Sequence, residues 1–450
     1  MFAYLAVPAA ALALVLSGCA TEEQASGGAT GGTDLDAKLV DAAQAKAKEI
    51  MGDEQLDGSI SIIGDNSGTE GALIEAFYKP FTEATGVKIN YTGSADSLSL
   101  IQSRVASGSP PDLVTSSPGV MAEYSRSHKL LNLSSLMGDD LKKNYSASVL
   151  DTASIDGSVY GVYQGFNNYM MWFNPEEYTG PKAGSSWQDV ADWTEKKAAD
   201  GTPTWCNAQG SGASSGWPGE AFIETLFAKK YGPALTEEWG TGKLSWTSPQ
   251  VKDAWQMFGA IAAKDANVAG GVKGSLTQDI GTGSNGLVTD PPTCQAEVWG
   301  SWTSGLITSS AEGVKPGENL DFMRVPASEP KFENTESYSA TVTYAFKDSP
   351  EVRAFARYIA STEAQTLLAS ADHWPVSNIN VPVSTYKDPL LQKMAKTYFT
   401  DDVELAAGPA NLAKTAVLTQ ADKGVMSYLQ DPSKLDEILQ SIQKVQEGKS

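Results

Sequence analysis

Three consecutive side chains late in the chain are suited to holding a polar ligand that has one flat face. Asp372, His373 and Trp374 are followed directly by Pro375. A carboxylate and an imidazole can hydrogen-bond hydroxyl groups, and an indole ring can cover an apolar face. We therefore expect this loop to line a binding site, with Asp372 accepting two ligand hydroxyls. The alternative is a solvated helix end that carries a buried Trp374.

Three more tryptophans have spacings that favour ligand contact. Trp217 stands between a glycine and a proline, and Trp299 and Trp302 flank Gly300-Ser301. A Trp just ahead of a helix is poorly placed for a core and well placed for a platform, although a hydrophobic staple is the alternative. A small residue between two rings allows close approach of a ligand to the backbone. We expect one of Trp299 and Trp302 to line the site and the other to be buried.

The elements that must position these residues begin with an alternation of strands and helices. Strands are predicted at 59–64, 87–91 and 112–115, and helices at 35–52, 70–85 and 97–107. This order predicts a parallel sheet covered on both faces, with the ligand beyond the carboxyl ends of the strands. The polar residues placed at that edge are Asp65, Asn66, Asp96 and Ser116. Helix capping is the alternative role for Asp65, Asn66 and Asp96.

The later part of the chain has a different pattern. Residues 159–174 read as two short strands that flank a polar turn. Helices are predicted at 187–199, 218–230 and 350–371, strands near 296–299 and at 339–346, and a mostly helical tail from 390 to 445. No internal repeat is visible.

The N-terminus indicates export. The stretch 1–17 is apolar and uncharged, is short for a membrane span, and precedes Gly18-Cys19. It resembles a lipoprotein signal peptide whose Cys19 becomes the lipidated N-terminus; an uncleaved anchor with a chance cysteine is the alternative. A basic segment is missing, so the true start is expected to differ. The Gly- and Thr-rich stretch that follows predicts a flexible tether.

The remaining two cysteines predict one disulfide. Cys206 and Cys294 form an even pair in an exported, oxidising context. A zinc site is disfavoured, because the chain has only two histidines, His128 and His373, and no pair of them stands near the cysteines. No metal and no cofactor are predicted.

The charge argues against nucleic-acid binding, and the motifs argue against an enzyme. The 450 residues carry 33 basic and 54 acidic side chains, a net charge of −21, which argues against a nucleic-acid partner. A secreted glycoside hydrolase would need two flanking carboxylates, but 54 acids always supply some pair, so the count is uninformative. No His-Glu-x-x-His motif is present, and two histidines leave few candidates for base catalysis, so an enzyme is disfavoured.

Three blocks of the chain resemble a known family. Residues 107–113 with 118–119 are similar to its strand entry and following loop, and 156–162 with 172–174 are similar to its crossover segment. Residues 204–206, 214–218 and 293–294 are similar to its α-glucoside-binding branch, which pairs the two cysteines. The chain thus resembles family-1 bacterial extracellular solute-binding proteins of carbohydrate ABC importers. It departs from them at 299–302.

The resemblance implies an α/β fold of two lobes with parallel-rich sheets, a hinge and a ligand in the cleft between lobes. We assign 1–18 to the signal peptide, 19–34 to the lipidated Cys and tether, 35–166 and 301–371 to lobe 1, and 167–300 and 372–450 to lobe 2. Gln164 and Asn167 then lie in the crossover, where either lobe can present an amide.

The resemblance also implies a function. We expect a monomeric lipoprotein on the outer face of the cell membrane that captures an oligosaccharide and delivers it to an ABC importer permease. Closure of the hinge would follow from tighter binding to the closed form. The alternative is the same fold with a non-sugar ligand such as a polyamine, which would suit the acidic charge.

Overall fold

The computed structural model describes residues 35–94, 96–400 and 402–449. The predicted signal peptide, the predicted lipidation site Cys19 and the tether therefore lie outside the described residues. Within the described ranges, no helix combines the length and the apolar character that a membrane crossing requires.

Ten strands belong to the described chain. They are β1 Ser59–Gly64, β2 Lys88–Gly93, β3 Leu113–Ser116, β4 Ser154–Ile155, β5 Ser158–Val159, β6 Gly161–Phe173, β7 Glu297–Gly300, β8 Asp321–Met323, β9 Thr335–Ala345 and β10 Glu404–Ala406.

Nineteen α-helices surround the strands in the described ranges. They are α1 Ala37–Met51, α2 Gly68–Thr85, α3 Ser97–Ala106, α4 Pro118–Arg126, α5 Leu133–Met137, α6 Asp139–Asn144, α7 Ala147–Thr152, α8 Trp187–Ala199, α9 Trp217–Tyr231, α10 Pro233–Gly240, α11 Pro249–Ala262, α12 Gly271–Thr277, α13 Thr303–Ser310, α14 Pro350–Ile359, α15 Thr362–Ala369, α16 Pro389–Tyr398, α17 Pro409–Leu412, α18 Thr415–Gln430 and α19 Leu435–Gln446.

The main sheet is parallel in its first half and antiparallel in its second. Its order is β2-β1-β3-β9-β6-β7, with β10 beside β9 and β8 beside β6. β1 is parallel to β2 and β3, whereas β9 is antiparallel to β3 and β6. The predicted alternation of strands and helices is confirmed for β1, β2 and β3. Every residue of β3 is buried, as expected for a strand covered on both faces.

The second half of the sheet separates two hydrophobic clusters. Along β6, Met170 belongs to the first cluster and Met171 to the second, and along β7 Val298 belongs to the second and Trp299 to the first. Successive side chains of a strand point to opposite faces, so one sheet serves two cores. The first cluster contains β1, β3 and α14, and the second contains α9, α11, α18 and α19.

The sequence interpretation of residues 159–174 is wrong in part. Only Ser158–Val159 forms a short strand, and the predicted polar turn lies within the single 13-residue strand β6. Backbone pairing with β9 continues from Gly161 to Asn168, with one bulge between Tyr163 and Gly165. In this strand Gln164 Nε2 and Asn167 Oδ1 form side-chain hydrogen bonds, whereas Gln164 Oε1 and Asn168 Nδ2 are buried without a partner among the described residues.

The helix predicted at 350–371 is two helices. α14 ends at Ile359, and Ser361 caps α15, where its hydroxyl accepts the N–H of Ala364 at 3.3 Å. A serine whose side chain satisfies a free backbone N–H favours a new helix start over continuation. The strand predicted at 339–346 begins earlier, at Thr335.

The domain boundaries assigned from the sequence stay a prediction. In the stretch assigned to lobe 2 from residue 372, α16 contributes Leu390, Leu391 and Met394 to the first cluster, and α18 contributes Val417 and Val425 to the second.

The predicted disulfide between Cys206 and Cys294 is present. Their Cα atoms are 5.4 Å apart, within the usual range, and both residues are buried. The bond fastens the segment before α9 to the segment that leads into β7.

Removal of this disulfide is expected to lower the melting temperature while the fold is retained. The bond spans 88 residues, and the chain-entropy model gives about 4–5 kcal/mol for a loop of this size. The test is calorimetry of the Cys206→Ala/Cys294→Ala variant, with thiol titration of the denatured, unreduced wild type. Two reactive thiols from these positions in the wild type would contradict the assignment.

Candidate functional site

A group of side chains lies where β1, the start of α2 and the loop after α15 meet. We call Asn66, Glu70, Gln164, His373 and Trp374 the polar wall. Glu70 Oε1 lies 3.1 Å from His373 Nε2, and Glu70 Oε2 accepts a hydrogen bond from Asn66 Nδ2 at 3.0 Å. The hydrogen bond from His373 lowers the pKa of Glu70. Both oxygens of this carboxylate are therefore already engaged by the protein.

The indole of Trp374 fastens the polar wall to the crossover strand. Its Nε1 donates to the carbonyl oxygen of Gln164 at 3.2 Å, and the ring lies directly against Gly165. A Cβ at position 165 would stand 3.2 Å from that nitrogen, so the close approach depends on glycine. The side chain of Gln164 has a partner as well, because its Nε2 donates to the Tyr78 hydroxyl at 2.7 Å.

A second group consists of Trp217, Trp299 and Trp302, which we call the tryptophan platform. The Trp217 ring centroid lies 4.7 Å from that of Trp299 and 6.0 Å from that of Trp302, and the last two are 5.4 Å apart. At these separations the rings contact one another, so no ligand fits between them. A ligand would instead lie on the outer surface of the cluster.

The three rings differ in exposure, and one of Trp299 and Trp302 is buried, as expected from the sequence. Trp299 is only 3 % exposed, whereas Trp217 and Trp302 are partly exposed. Trp217 Nε1 donates to Ser211 Oγ at 3.2 Å, and Tyr169 meets Trp302 edge-on at 5.9 Å. Trp217 and Trp302 therefore supply the accessible faces, and Trp299 supports them from below.

Local sequence explains why the platform forms at this point. Gly216 has a φ of 105°, a conformation that L side chains rarely adopt, and it starts α9 at Trp217-Pro218. Gly300 pairs with Tyr169 of β6, and the Trp302 ring folds back over Gly300, where a Cβ would collide with it. Two glycines thus bring the rings together.

Both groups are attached to the same short stretch of β6. Gln164 bears the polar wall, and three residues later Asn167 Oδ1 accepts from Ser301 Oγ at 2.6 Å. A strand rises about 3.3 Å per residue, so these anchor points are about 10 Å apart. The predicted role of Gln164 and Asn167 as amides presented to the ligand from the crossover stays a prediction.

Asp372 is engaged by the protein backbone. Its Oδ1 accepts the N–H of Lys387 at 2.9 Å and its Oδ2 accepts the N–H of Asp388 at 2.8 Å. The residue has a φ of 59°, unusual for a non-glycine residue. Asp388 in turn lies 3.5 Å from Ser304 Oγ of α13. The structure therefore gives Asp372 the role of a loop clasp, and its predicted contact with ligand hydroxyls stays a prediction.

The other sequence candidates lie at the carboxyl edge of the sheet. Asp65 is exposed, but the surrounding protein raises its pKa through desolvation, with a further contribution from Glu70. It does not cap α2, whose N-cap is Ser67. Asp96 is exposed and makes no side-chain capping bond with α3. Ser116 is buried at the end of β3.

Sequence reasoning did not select Glu70, Tyr169 or Glu220. Glu70 follows a predicted strand by six residues, a position indistinguishable from a solvated first helical turn. Tyr169 lies in a run of apolar residues. Glu220 carried a visible signal, because it interrupts the apolar start of α9, in which Glu220 to Lys229 are all buried.

Behind the platform, Glu297 borders a cavity of about 10 Å³ together with Asn207, Pro218 and Trp299. Glu297 Oε2 and Asn207 Nδ2 are buried and have no protein partner among the described residues. Burial raises the pKa of Glu297 to about 8. At neutral pH this side chain is therefore largely a neutral acid.

A larger cavity lies elsewhere. It has a volume of about 790 Å³ and is bordered by α4, α7 and α10 together with residues 403–412. None of the sequence-predicted ligand residues borders it. Within the described ranges, no cluster of three or more His, Cys, Asp or Glu side chains is arranged to hold a metal ion.

Comparison with known proteins identifies the family. Residues 65–366 match the model of the bacterial extracellular solute-binding proteins. The match spans more than half of the chain, so the chain belongs to this family. As a member it is a solute-binding protein, and its two curated relatives are likewise named as binding proteins and not as enzymes.

Two curated relatives are similar along most of their length. The osmoprotective compounds-binding protein GgtB of Synechocystis sp. is 27 % identical over 369 residues, which cover 81 % of this chain and 86 % of GgtB. The α-glucosides-binding periplasmic protein AglE of Rhizobium meliloti is 28 % identical over 388 residues, which cover 81 % of this chain and 83 % of AglE.

Solved structures share the two-lobed fold. The bacterial solute receptor AcbH, described as having an exclusive preference for β-D-galactopyranose, matches with a TM-score of 0.73 and 17 % identity, covering 87 % of this chain and 98 % of AcbH. RafE of Streptococcus pneumoniae matches with a TM-score of 0.69 and 16 % identity, covering 87 % and 98 %. The predicted two-lobed α/β fold is confirmed.

Glu297→Gln is expected to stabilise the protein increasingly as the pH rises. The ordinary pKa of 4.5 is raised to about 8 in the folded state, so the folded protein retains a proton that the unfolded chain releases. Wild-type stability should therefore fall between those two pH values, and the glutamine should remove that loss. Melting temperatures at pH 5, 6, 7 and 8 test this, with exposed Glu237→Gln as the control. A constant difference across the series would refute it.

Asp372→Asn is expected to destabilise the protein by about 1–3 kcal/mol, because a neutral amide cannot accept both backbone N–H groups. The measurement is denaturant unfolding, with Asp96→Asn as the matched control, because Asp96 is an exposed carboxylate whose side chain makes no capping hydrogen bond to α3. If Asp372→Asn is as stable as the wild type, the hydrogen bonds from Lys387 and Asp388 to Asp372 do not stabilise the loop.

Proposed function

We propose that this protein captures an extracellular oligosaccharide, an α-linked glucoside or galactoside, and delivers it to an ABC importer permease by closure of the cleft. The observation that carries the proposal is the pairing of a tryptophan platform with a polar wall on one crossover strand. A sugar presents a C–H face suited to an indole and a rim of hydroxyls suited to amide, imidazole and carboxylate groups.

The names of the relatives support the ligand class. AglE is named for α-glucosides, AcbH is described with a galactose preference, and RafE has been described in complex with raffinose. These proteins share the fold or family of this chain, but the identity of each sugar belongs to that protein. Titration with glucose-containing and galactose-containing sugars distinguishes the two ligand classes.

A neutral ligand is favoured over a polyamine. A polyamine would need several carboxylates with free oxygens, as the net charge of −21 at first indicates. In the polar wall, however, both oxygens of Glu70 already accept or share hydrogen bonds, and Asp372 is bound to backbone. Among the carboxylates of the polar wall and the carboxyl edge of the sheet, this leaves the exposed Asp65 and Asp96. Beside the platform, burial and the charge of Glu224 raise the pKa of Glu220, which favours its neutral form over the charged form that a polyamine needs.

The same proposal includes the cellular setting. The protein would be a monomer held on the outer face of the membrane through lipid on Cys19, with residues 20–34 as tether. A single acyl chain binds a membrane weakly, so more than one is expected on the cysteine.

Calorimetric titration with maltotriose, trehalose, raffinose, galactose and spermidine tests the function. We expect heat from at least one α-linked sugar and none from spermidine, and no new reducing ends after prolonged incubation. Saturable spermidine binding without sugar binding would contradict the proposal, and release of reducing ends would contradict the family assignment as a binding protein.

Trp217→Ala is expected to weaken sugar binding by about 1–3 kcal/mol, because the accessible face of the platform is lost. Trp246→Ala is the matched control, since Trp246 is 1 % exposed in the second cluster and away from the platform; it should lower the melting temperature and leave the dissociation constant unchanged. If Trp217→Ala lowers stability as much as Trp246→Ala and leaves affinity intact, Trp217 is a core residue.

A further inference from the structure

The first two turns of α9 carry two buried acids next to the tryptophan platform. Glu220 follows Trp217 by three residues and Glu224 follows by seven, and they are 5 % and 2 % exposed. Residues four apart on a helix share a face, so the two carboxyl groups are neighbours. Asp422 of α18 also acts on Glu220 by charge.

The two acids differ in their partners. Glu224 Oε2 accepts the N–H of Ala410 at 3.0 Å, and the Gly408 N–H also stabilises its charge. Glu220 Oε1 is buried and has no hydrogen-bond partner among the described residues. Such an atom would cost free energy if nothing ever bound it, and buried polar groups in native proteins rarely stay unpaired.

The acids around Glu220 have no basic partner in the described ranges. Neither Glu220, Glu224 nor Asp422 forms an ion pair with a basic side chain, and Lys229 and Lys230, at the other end of α9, pair with Glu336 and Asp253. The elements packed against α9 carry the following titratable residues: Lys252 and Asp253 on α11, Asp422, Lys423 and Tyr428 on α18, Glu336, Tyr338 and Tyr344 on β9, Glu237 and Glu238 on α10, Lys331 in the turn before β9, Tyr163 and Tyr169 on β6, and Glu297 on β7.

Two observations relate Glu220 to the tryptophan platform. Glu220 follows Trp217 by three residues on α9, so the two side chains share a face of the helix. Burial raises the pKa of Tyr169, the charges of Glu224 and Glu220 add to that rise, and the Tyr169 ring contacts Trp302 of the platform. Glu220 is therefore one helical turn nearer to Trp217 than Glu224 is.

We propose that Glu220 is a ligand-binding residue that acts as a neutral carboxylic acid, donating one hydrogen bond to the ligand and accepting another at the edge of the tryptophan platform. The inference rests on the proposed function, since it takes a neutral sugar as the ligand. A neutral sugar supplies no charge to offset an ionised carboxylate in this buried position, so the neutral acid is the competent form.

Glu224 sets the protonation state of Glu220. Backbone N–H groups favour the charged form of Glu224, and its pKa is raised by burial only to about 7. Burial and the charge of Glu224 raise the pKa of Glu220 well above its ordinary value. As the pH rises, Glu224 ionises first, and its charge holds Glu220 neutral.

The pH dependence of affinity follows from this order. Sugar affinity should stay high at and below neutral pH and fall as the pH rises and Glu220 ionises. Glu220→Gln imitates the neutral acid in shape and in hydrogen bonding, so its affinity should lie within about threefold of the wild type at pH 7 and should not fall at alkaline pH. Glu220→Met lacks the polar groups and should bind at least about tenfold more weakly at pH 7.

Two further variants separate Glu220 from its neighbours. Glu224→Gln removes the charge that keeps Glu220 neutral, so the fall in affinity should move to lower pH. Glu297→Gln removes the other nearby buried acid of raised pKa and should retain the wild-type fall. Exposed Glu237→Gln should match the wild type throughout.

The experiment is calorimetric titration of the wild type and these variants, from pH 6 to pH 9.5, with the α-linked sugar that the wild type binds most tightly. A wild-type fall that Glu220→Gln abolishes and Glu224→Gln shifts to lower pH supports the proposal. Sugar binding that is independent of pH both in the wild type and in Glu224→Gln overturns it, even if no Glu220 variant folds, and so does Glu220→Met with wild-type affinity. If the wild type binds none of the sugars, the proposed function itself fails.

Discussion

The pairing of β6 with β9 is the interaction on which the rest of the molecule depends. These are the two longest strands, and their ladder runs from Gly161 opposite Tyr344 to Asn168 opposite Tyr338. Beyond it, β6 continues into pairs with β7 and β8. One continuous strand therefore carries the polar wall, through Gln164, and the platform, through Asn167 and Tyr169. If the polar wall and the platform move relative to each other, the backbone must change its conformation in β6 or in the segments next to it.

Near the crossover strand, three charged side chains whose burial costs free energy are held in place by pairing with one another. Lys229 and Glu336 form a fully buried ion pair at 2.9 Å, and Arg324 adds a second contact to Glu336 at 2.7 Å. Burial lowers the pKa of Lys229. Such a group contributes little net stability, but loss of one partner would leave a charge uncompensated. It fixes α9 to the start of β9, and α9 in turn holds Trp217 and Glu220 at the site.

Much of the fold could be predicted from the sequence because it depends on local pattern. Apolar runs followed by glycine or polar residues located β1, β2 and β3, and two cysteines in a chain whose N-terminus predicts export indicated the disulfide. The single strand β6 could not be predicted, because Gln164 and Asn167 have hydrogen-bond partners, Tyr78 and Ser301, that are distant in sequence. The clasp of Asp372 on Lys387 and Asp388 and the contact of His373 with Glu70 are equally non-local. Residue type identified Trp217 and Trp374 as candidates, but only the fold shows which faces are free.

The polar wall and the tryptophan platform are proposed to form one ligand site on either side of the crossover strand. The decisive experiment is amide hydrogen exchange with and without the sugar that binds best. A shared site predicts that the backbone amides of five segments become protected together: 64–70, 164–168, 217–220, 299–302 and 372–375. Protection confined to α4, α7 and α10, around the cavity of about 790 Å³, would place the ligand elsewhere and exclude a shared site.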